Sequence, residues 1–361
     1  MYWAMLASRA VRHFRDGSIF MTNIETLPPF QRHRAAWYGP EMARRESEWL
    51  YCLSAQEVRE LENAAEPWAR LPDGLANIEA DTFRLPTLGA KLLALRHELI
   101  GGRGFGVLRG LPVERYTDAE SQAIFCGVGS HLGMARSQNA QRQLLGHVRD
   151  LGVSSQDPRV RVYQTSERQT FHTDSADVVG LLCLKNAMAG GDSLLVSSST
   201  LFNEMRRQCP DLLRLLLQPI ATDRRGEVPA GQAPYFLIPV FSYHEQFLTV
   251  IYQRQYIDSA QRFNDAPRLT DQHVQALDRF DQLANSAELH FSMRLAPGDM
   301  QFVYNHALLH DRTAFQNWPE PERQRHLLRL WLAVPGDRPL PASFASRYGS
   351  VEIGNRGGVM A

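Results

Sequence analysis

Thr170-Phe-His-Thr-Asp-Ser-Ala-Asp-Val-Val-Gly-Leu-Leu-Cys-Leu184 begins polar and turns into a largely apolar run. In an extended chain residues i and i+2 share a face, so His172 and Asp174 point the same way from the mouth of the following strand. An imidazole and a carboxylate so placed can grip one object. A metal is the natural candidate if a third ligand arrives from elsewhere. Alone the pair says little, because the chain holds 12 histidines.

The third ligand is sought in Gly298-Asp-Met-Gln-Phe-Val-Tyr-Asn-His-Ala-Leu-Leu-His-Asp-Arg-Thr-Ala-Phe315, a turn and strand followed by a polar cluster with His306 and His310. Two histidines and one carboxylate on one face of iron leave three positions open, as in non-haem Fe(II) oxygenases. Arg325-His-Leu-Leu-Arg-Leu-Trp331 puts Arg325 and Arg329 on one face of a late strand. A guanidinium facing an apolar interior needs a partner, and a carboxylate supplies the bidentate one. Gly190-Gly-Asp-Ser193 opens another strand, and Ser193 can offer its hydroxyl to the same carboxylate.

Around these motifs, short strand-like runs dominate the second half: Val160–Gln164, Val178–Leu184, Ser193–Ser198, Tyr235–Phe241, Phe247–Gln253, Glu288–Leu295, Met300–Tyr304 and His326–Val334. Many short strands broken by turn residues predict a sandwich or barrel. The first half reads as helices over Ser54–Arg70, Leu88–Ile100 and Thr117–Leu132, with a strand at 104–109. Ser54 with Glu57 is a capping-box signature, and Gly101-Gly102 is a stop signal. Two later helices are expected over Thr200–Leu217 and Asp271–Ala284. The expected fold is α+β, mainly β: a helical N-terminal layer on a double-stranded β core.

The chain's 361 residues, 44% of them hydrophobic, suffice for one large β-rich domain or two smaller ones. One domain over residues 31–345 is expected, with its β core at about 160–335. Residues 1–30 read as an extension and 346–361 as a tail. Met1–Arg15 is arginine-rich and acid-free, which fits an organellar presequence or, preferably, an extension ahead of a second start at Met21.

Basic and acidic residues balance at 39 each, so no global field argues for nucleic acid or an anionic membrane. No apolar run reaches the roughly eighteen residues of a membrane span. Four cysteines without CxxC or zinc-knuckle spacing fit a reducing cytoplasm. A small-molecule enzyme is the expectation.

The ordered set of HxD, GGDS, Asn-x4-His-x-Arg and Arg-x3-Arg resembles the TauD/TfdA superfamily of Fe(II)/2-oxoglutarate-dependent dioxygenases, over roughly Arg161 to Pro335. The resemblance implies a double-stranded β-helix, or jelly roll. It implies His172, Asp174 and His310 as iron ligands, His310 being preferred to His306 because it follows Asn305 by five positions. It implies Arg325 and Ser193 on the distal carboxylate of 2-oxoglutarate, Ser193 standing where threonine is more usual. Fe(II), 2-oxoglutarate and O2 would then be the working set, with succinate and CO2 released. Arg329 falls where relatives often touch substrate. With Arg312 it suggests a carboxylate-bearing metabolite, and Phe171, Tyr163, Phe315 and Trp318 are candidate pocket walls. His306 replaces an arginine common in taurine-type relatives, and Ser175 also departs from them, so the substrate is not expected to be taurine. Asp174 favours hydroxylation or desaturation over halogenation, which needs a small residue there. Asp177 reads as a structural hydrogen-bonder. Relatives of this kind are often dimers or tetramers, so a homo-oligomer is allowed. A cupin-like metal enzyme without 2-oxoglutarate, or a non-catalytic binding module, remains an alternative.

Overall fold

The structure is a computed structural model that describes residues 26–71, 74–139, 141–155 and 160–359. The arginine-rich start Met1–Arg15 and Met21 lie outside the described residues. Alternating apolar positions along several strands supply two opposed sheets. A seven-stranded sheet runs in the order Leu50–Cys52, Phe105–Arg109, Met300–Tyr304, Val178–Lys185, His326–Ala333 and Met134–Ala135, with Leu145–Val148 also on His326–Ala333. A four-stranded sheet runs His290–Met293, Ser193–Ser197, Leu308–Arg312, Gln169–His172. All pairings within both sheets are antiparallel except Leu50–Cys52 with Phe105–Arg109.

Between the sheets Phe105, Val179, Leu195, Phe291, Val303, Leu308 and Leu327 form a dry middle layer. The outer face of the large sheet is covered by the helices Ala55–Ala69, Gly89–Gly101 and Asp118–Leu132, through Leu61, Leu92, Phe125, Phe302 and Leu330. Capping boxes start two of them, at Ser54 with Glu57 and at Thr117 with Glu120. This is the expected mainly-β jelly roll with its helical N-terminal layer. A second helical cover lies outside the small sheet, where Ser198–Gln208, Pro210–Leu216 and Asp271–Ala284 bury Phe202, Leu213 and Phe280 with Val196 and Leu309.

Several local expectations are corrected. Thr200–Leu217 is two helices, because Pro210 cannot continue the first and begins the second. Val162–Gln164 is a short 3-10 turn rather than a strand. Tyr235–Phe241 divides into Tyr235–Ile238 and Phe241–His244, and Leu308–Arg312, Gln169–His172 and the helix Arg254–Ala260 were not foreseen.

The C-terminal segment is no loose tail. Arg356 is fully buried and donates through Nε to Asp177 Oδ1 at 2.7 Å and through Nη2 to Asp337 Oδ2 at 2.8 Å. His306 Nε2 donates to the same Asp177 oxygen at 2.7 Å, and Tyr304 hydroxyl bonds Asp337. The backbone N–H of Gly358 then donates to Ser175 carbonyl oxygen at 2.7 Å, against the loop that follows Asp174. Asp177 is thus the structural hydrogen-bonder its position suggested. Removing one partner from such a network strands buried charge, so Arg356→Met should destabilise the fold by about 3–5 kcal/mol in denaturant melts. A loss below about 1 kcal/mol would show that the network is not a structural tie.

Candidate active site

The small sheet builds the site by register. His310 lies directly across from His172 in the antiparallel pairing of Leu308–Arg312 with Gln169–His172, and a bulge follows His310. Their rings stand 4.2 Å apart, centroid to centroid. Just past the strand end, Asp174 completes the group: His172 Nε2 lies 3.9 Å from its Oδ1 and His310 Nε2 3.8 Å from its Oδ2.

Asp174 lies past a strand of the small sheet and is held by the large one. Asn305, at the end of Met300–Tyr304, accepts from the Asp174 backbone N–H at 3.0 Å and donates from its Nδ2 to Ala176 carbonyl oxygen at 3.0 Å. Its own N–H donates to Asp177 carbonyl oxygen at 2.9 Å. The Asn-x4-His spacing therefore has a physical meaning: the asparagine clamps the loop and the histidine faces it. Trp331 Nε1 donates to Asp174 Oδ2 at 2.8 Å, and Arg329 Nη1 lies 3.8 Å from that oxygen. Arg329 is steadied by its Nε on Gln138 Oε1 at 2.7 Å and by stacking on Tyr163. Trp331 and Gln138 were invisible to motif reading, because each acts through a neighbour.

The protonation states suit a divalent metal. Burial, with each other's proximity, pushes the His310 imidazole down to about 3, and burial also lowers His172. Burial alone would raise the Asp174 carboxyl, but Arg329, His310, His172 and the Trp331 N–H outweigh it and hold it below the usual range. His172 Nδ1 faces Thr170 carbonyl oxygen at 2.8 Å, which places the proton there and leaves Nε2 as the lone-pair donor. Two neutral imidazoles and one carboxylate, their ligand atoms all within 4.8 Å of one another, fit a facial iron site. Asp177, His306 and Asp337 form a second such group among the described residues. There Arg356 already fills the space between the carboxylates, so it is a closed ion network.

Two compartments meet at His172 and Asp174. The inner one, about 50 Å³, is walled by Val148, Val179, Leu181 and Leu327 and holds Arg325, Arg312, Ser193 and His310. Arg325 Nη1 is buried there with no hydrogen-bond partner, and Nη2 reaches only Gly191 carbonyl oxygen at 3.5 Å. Burial pulls its pKa down to about 10. An uncompensated guanidinium in an apolar pocket fits an organic carboxylate such as that of 2-oxoglutarate. The glycines of Gly190-Gly191 make room for it: a Cβ on Gly191, whose φ is +76°, would stand 2.8 Å from Arg325 Nε. Ser193 faces this compartment, but its hydroxyl donates to Gln301 Oε1 at 2.9 Å.

The outer compartment, about 240 Å³, is lined by Tyr163, Gln164, Tyr252, Gln253, Trp331 and other residues, and Arg329 belongs to both. Three residues expected to meet substrate or wall its pocket lie elsewhere. Phe171 is core, packed among the residues behind the small sheet. Arg312 gives its Nη groups to the carbonyl oxygens of Thr165 and Glu167 and stacks on Phe315, so it borders the inner compartment only. Trp318 lies under Arg323, away from both cavities.

The sequence model of the family described as "Taurine catabolism dioxygenase TauD, TfdA family" matches residues 69–331. The chain is 34% identical over 336 residues to FR-33289 synthase of Streptomyces rubellomurinus, covering 90% of this chain and 97% of that protein. In fold it is similar to asparagine oxygenase solved with Fe(II), 2S,3S-3-hydroxyasparagine and succinate: TM-score 0.62, 18% identity, covering 79% of this chain and 93% of that one. It is also similar to the non-heme iron oxygenase OrfP solved with Fe and alpha-ketoglutaric acid: TM-score 0.58, 15% identity, covering 78% and 93%. The chain belongs to the TauD/TfdA family. It is an Fe(II)- and 2-oxoglutarate-dependent dioxygenase acting on a small molecule, with O2 as oxidant.

Because Trp331 fixes one Asp174 oxygen, Trp331→Phe should weaken Fe(II) binding on the order of tenfold with the fold intact. Anaerobic competition against a chelator reads this directly. Unchanged affinity would make the indole bond incidental.

Proposed function

We propose that this enzyme hydroxylates an unactivated carbon of a small, polar, anionic metabolite, with His172, Asp174 and His310 holding the iron. Arg325 would hold the distal carboxylate of 2-oxoglutarate, with Ser193 beside it once its hydroxyl turns from Gln301. The observation that carries this reading is the Arg325 guanidinium, its Nη1 without a hydrogen-bond partner, in an apolar chamber that opens onto His172 and Asp174.

Bound there, iron and co-substrate would supply the oxidising chemistry in which 2-oxoglutarate, O2 and a substrate C–H bond give succinate, CO2 and a C–OH bond, one oxygen atom going to succinate and the other to the substrate. The protein's own residues do the rest. Leu181, Leu327 and Val179 keep water from the inner chamber, which strengthens the Arg325 contact. Trp331 and Arg329 keep Asp174 ionised and aimed. Tyr163 and Arg329, common to both compartments, orient substrate at their junction. Asp174 itself argues for hydroxylation over halogenation, since a carboxylate occupies the position a halide would need.

An amino-acid-like substrate is supported by the amide-rich outer wall of Gln138, Asn139, Gln164, Gln169 and Gln253. The solved neighbour carrying 2S,3S-3-hydroxyasparagine agrees with it. Cytoplasmic location and lack of nucleic-acid or membrane partners are our reading; the four cysteines are free, and no helix among the described residues is long and apolar enough to cross a membrane.

Succinate release over a panel of polar amino acids and their derivatives tests this reading. His310→Ala should abolish release. Arg325→Ala should raise the KM for 2-oxoglutarate by tenfold to on the order of a hundredfold, the loss of one or two charge-assisted hydrogen bonds. An unchanged KM would overturn the placement of the co-substrate.

A further inference from the structure

We propose that the outer compartment contains a phosphoryl-binding site built on Arg225 and Arg347, so that the substrate carries a phosphate-ester or phosphonate group remote from the oxidised carbon. The proposal rests on the function above and names the substrate class of that same site.

The argument begins with charge. Four guanidiniums line the outer compartment, those of Arg161, Arg225, Arg329 and Arg347, against two carboxylates, Asp174 and Glu227. Glu227 is taken by Arg161 at 2.8 Å, and Asp174 faces Arg329 and the two histidines. Among the described residues, no ion pair offsets Arg225 or Arg347. Neither residue borders the inner chamber, so the excess charge lies in the part of the cavity the two do not share.

Both guanidiniums are built in. Arg225 stacks over Tyr256 at 5.5 Å and Arg347 over Phe236 at 5.7 Å, which orients planar forks without neutralising them. Arg225 Nε is buried with no hydrogen-bond partner. Its backbone sits at φ +53°, an uncommon conformation for a side-chain-bearing residue, held by its N–H on Asp223 Oδ1 at 2.8 Å. Arg161 adds a brace, donating to Tyr256 hydroxyl at 2.6 Å. The neighbouring Arg224 is turned to Gln232 and Ala233, and Arg347 lowers its pKa further below what burial does. Local positive charge is therefore unrelieved.

The geometry also links this patch to the iron site. Thr173, between the two metal-site residues, exchanges hydrogen bonds with Tyr252: its N–H donates to Tyr252 carbonyl oxygen at 2.9 Å, and its Oγ1 accepts from Tyr252 N–H at 3.0 Å. Tyr256 follows four residues later in the helix Arg254–Ala260. Arg225, Arg347, His172 and Asp174 all line this one compartment, so a small molecule anchored on the two arginines shares it with the His172–Asp174 junction. A phosphoryl group carries roughly −1.5 to −2 charge near neutral pH and matches two guanidinium forks, whereas a carboxylate satisfies only one.

Calorimetric titration of the iron-loaded enzyme under nitrogen with methyl phosphate, methylphosphonate and acetate tests this, alongside a 2-oxoglutarate titration. We expect a phosphoryl probe to bind and acetate to bind weaker by on the order of tenfold or more. The Arg225→Gln/Arg347→Gln double variant should lose phosphoryl binding by a similar factor while 2-oxoglutarate binding is unchanged. Preference for methylphosphonate over methyl phosphate would indicate a C–P substrate, and the reverse an ester. Acetate binding equal to the phosphoryl probes, or phosphoryl binding unaltered in the double variant, would overturn the proposal. Failure of 2-oxoglutarate to bind wild-type enzyme would instead overturn the iron-site reading, and the phosphoryl arms would be judged separately.

Discussion

The pairing of His310 against His172 across two short strands is the constraint on which the rest depends. It brings two imidazoles to ring contact at the mouth of the sandwich, where Asn305 and Trp331 from the opposite sheet hold Asp174 to meet them. The site is thus not carried by one loop. It is a joint between sheets, and the dry layer of Phe105, Leu195, Val303 and Leu308 fixes the joint's spacing.

Two buried arginines show how the same side chain serves opposite ends. Arg356 is closed: Asp177 and Asp337 consume its donors, and it ties the C-terminal segment to the loop behind the metal site. Arg325 is open: it has a long bond to Gly191, a stacking contact with Phe315, and a nitrogen with no partner. A buried guanidinium without a carboxylate is unfavourable unless a ligand completes it. That difference separates a structural tie from a binding site more sharply than burial does, since both are buried.

Much of this was legible in the sequence because the functional residues lie in ordered short motifs, and the apolar runs Val178–Leu184 and His326–Val334 announce their strands. Helices with capping boxes were equally plain. Gln169–His172 and Leu308–Arg312, which carry two of the three proposed iron ligands, were missed because they are short, and Gln169–His172 alternates poorly. Their polar ends face a cavity rather than solvent, so no apolar–polar period marks them. Pro210 was a readable break that the longer helical pattern obscured. Arg356, Gln138 and Trp331 carried no local signal, since the partners that tie them to the site, Asp177, Arg329 and Asp174, lie 157 to 191 residues away in the chain. Phe171 illustrates the converse: adjacency to His172 in sequence sends its ring to the opposite face, into the core.

The central claim is that His172, Asp174, His310 and Arg325 together hold iron and 2-oxoglutarate. The most direct measurement is the anaerobic visible absorbance of the purified enzyme with Fe(II), before and after 2-oxoglutarate is added. The account predicts a weak charge-transfer band that needs both components and is lost in His310→Ala. Bound iron without any such band would contradict it, and would return the site to a metal centre that does not take the keto acid.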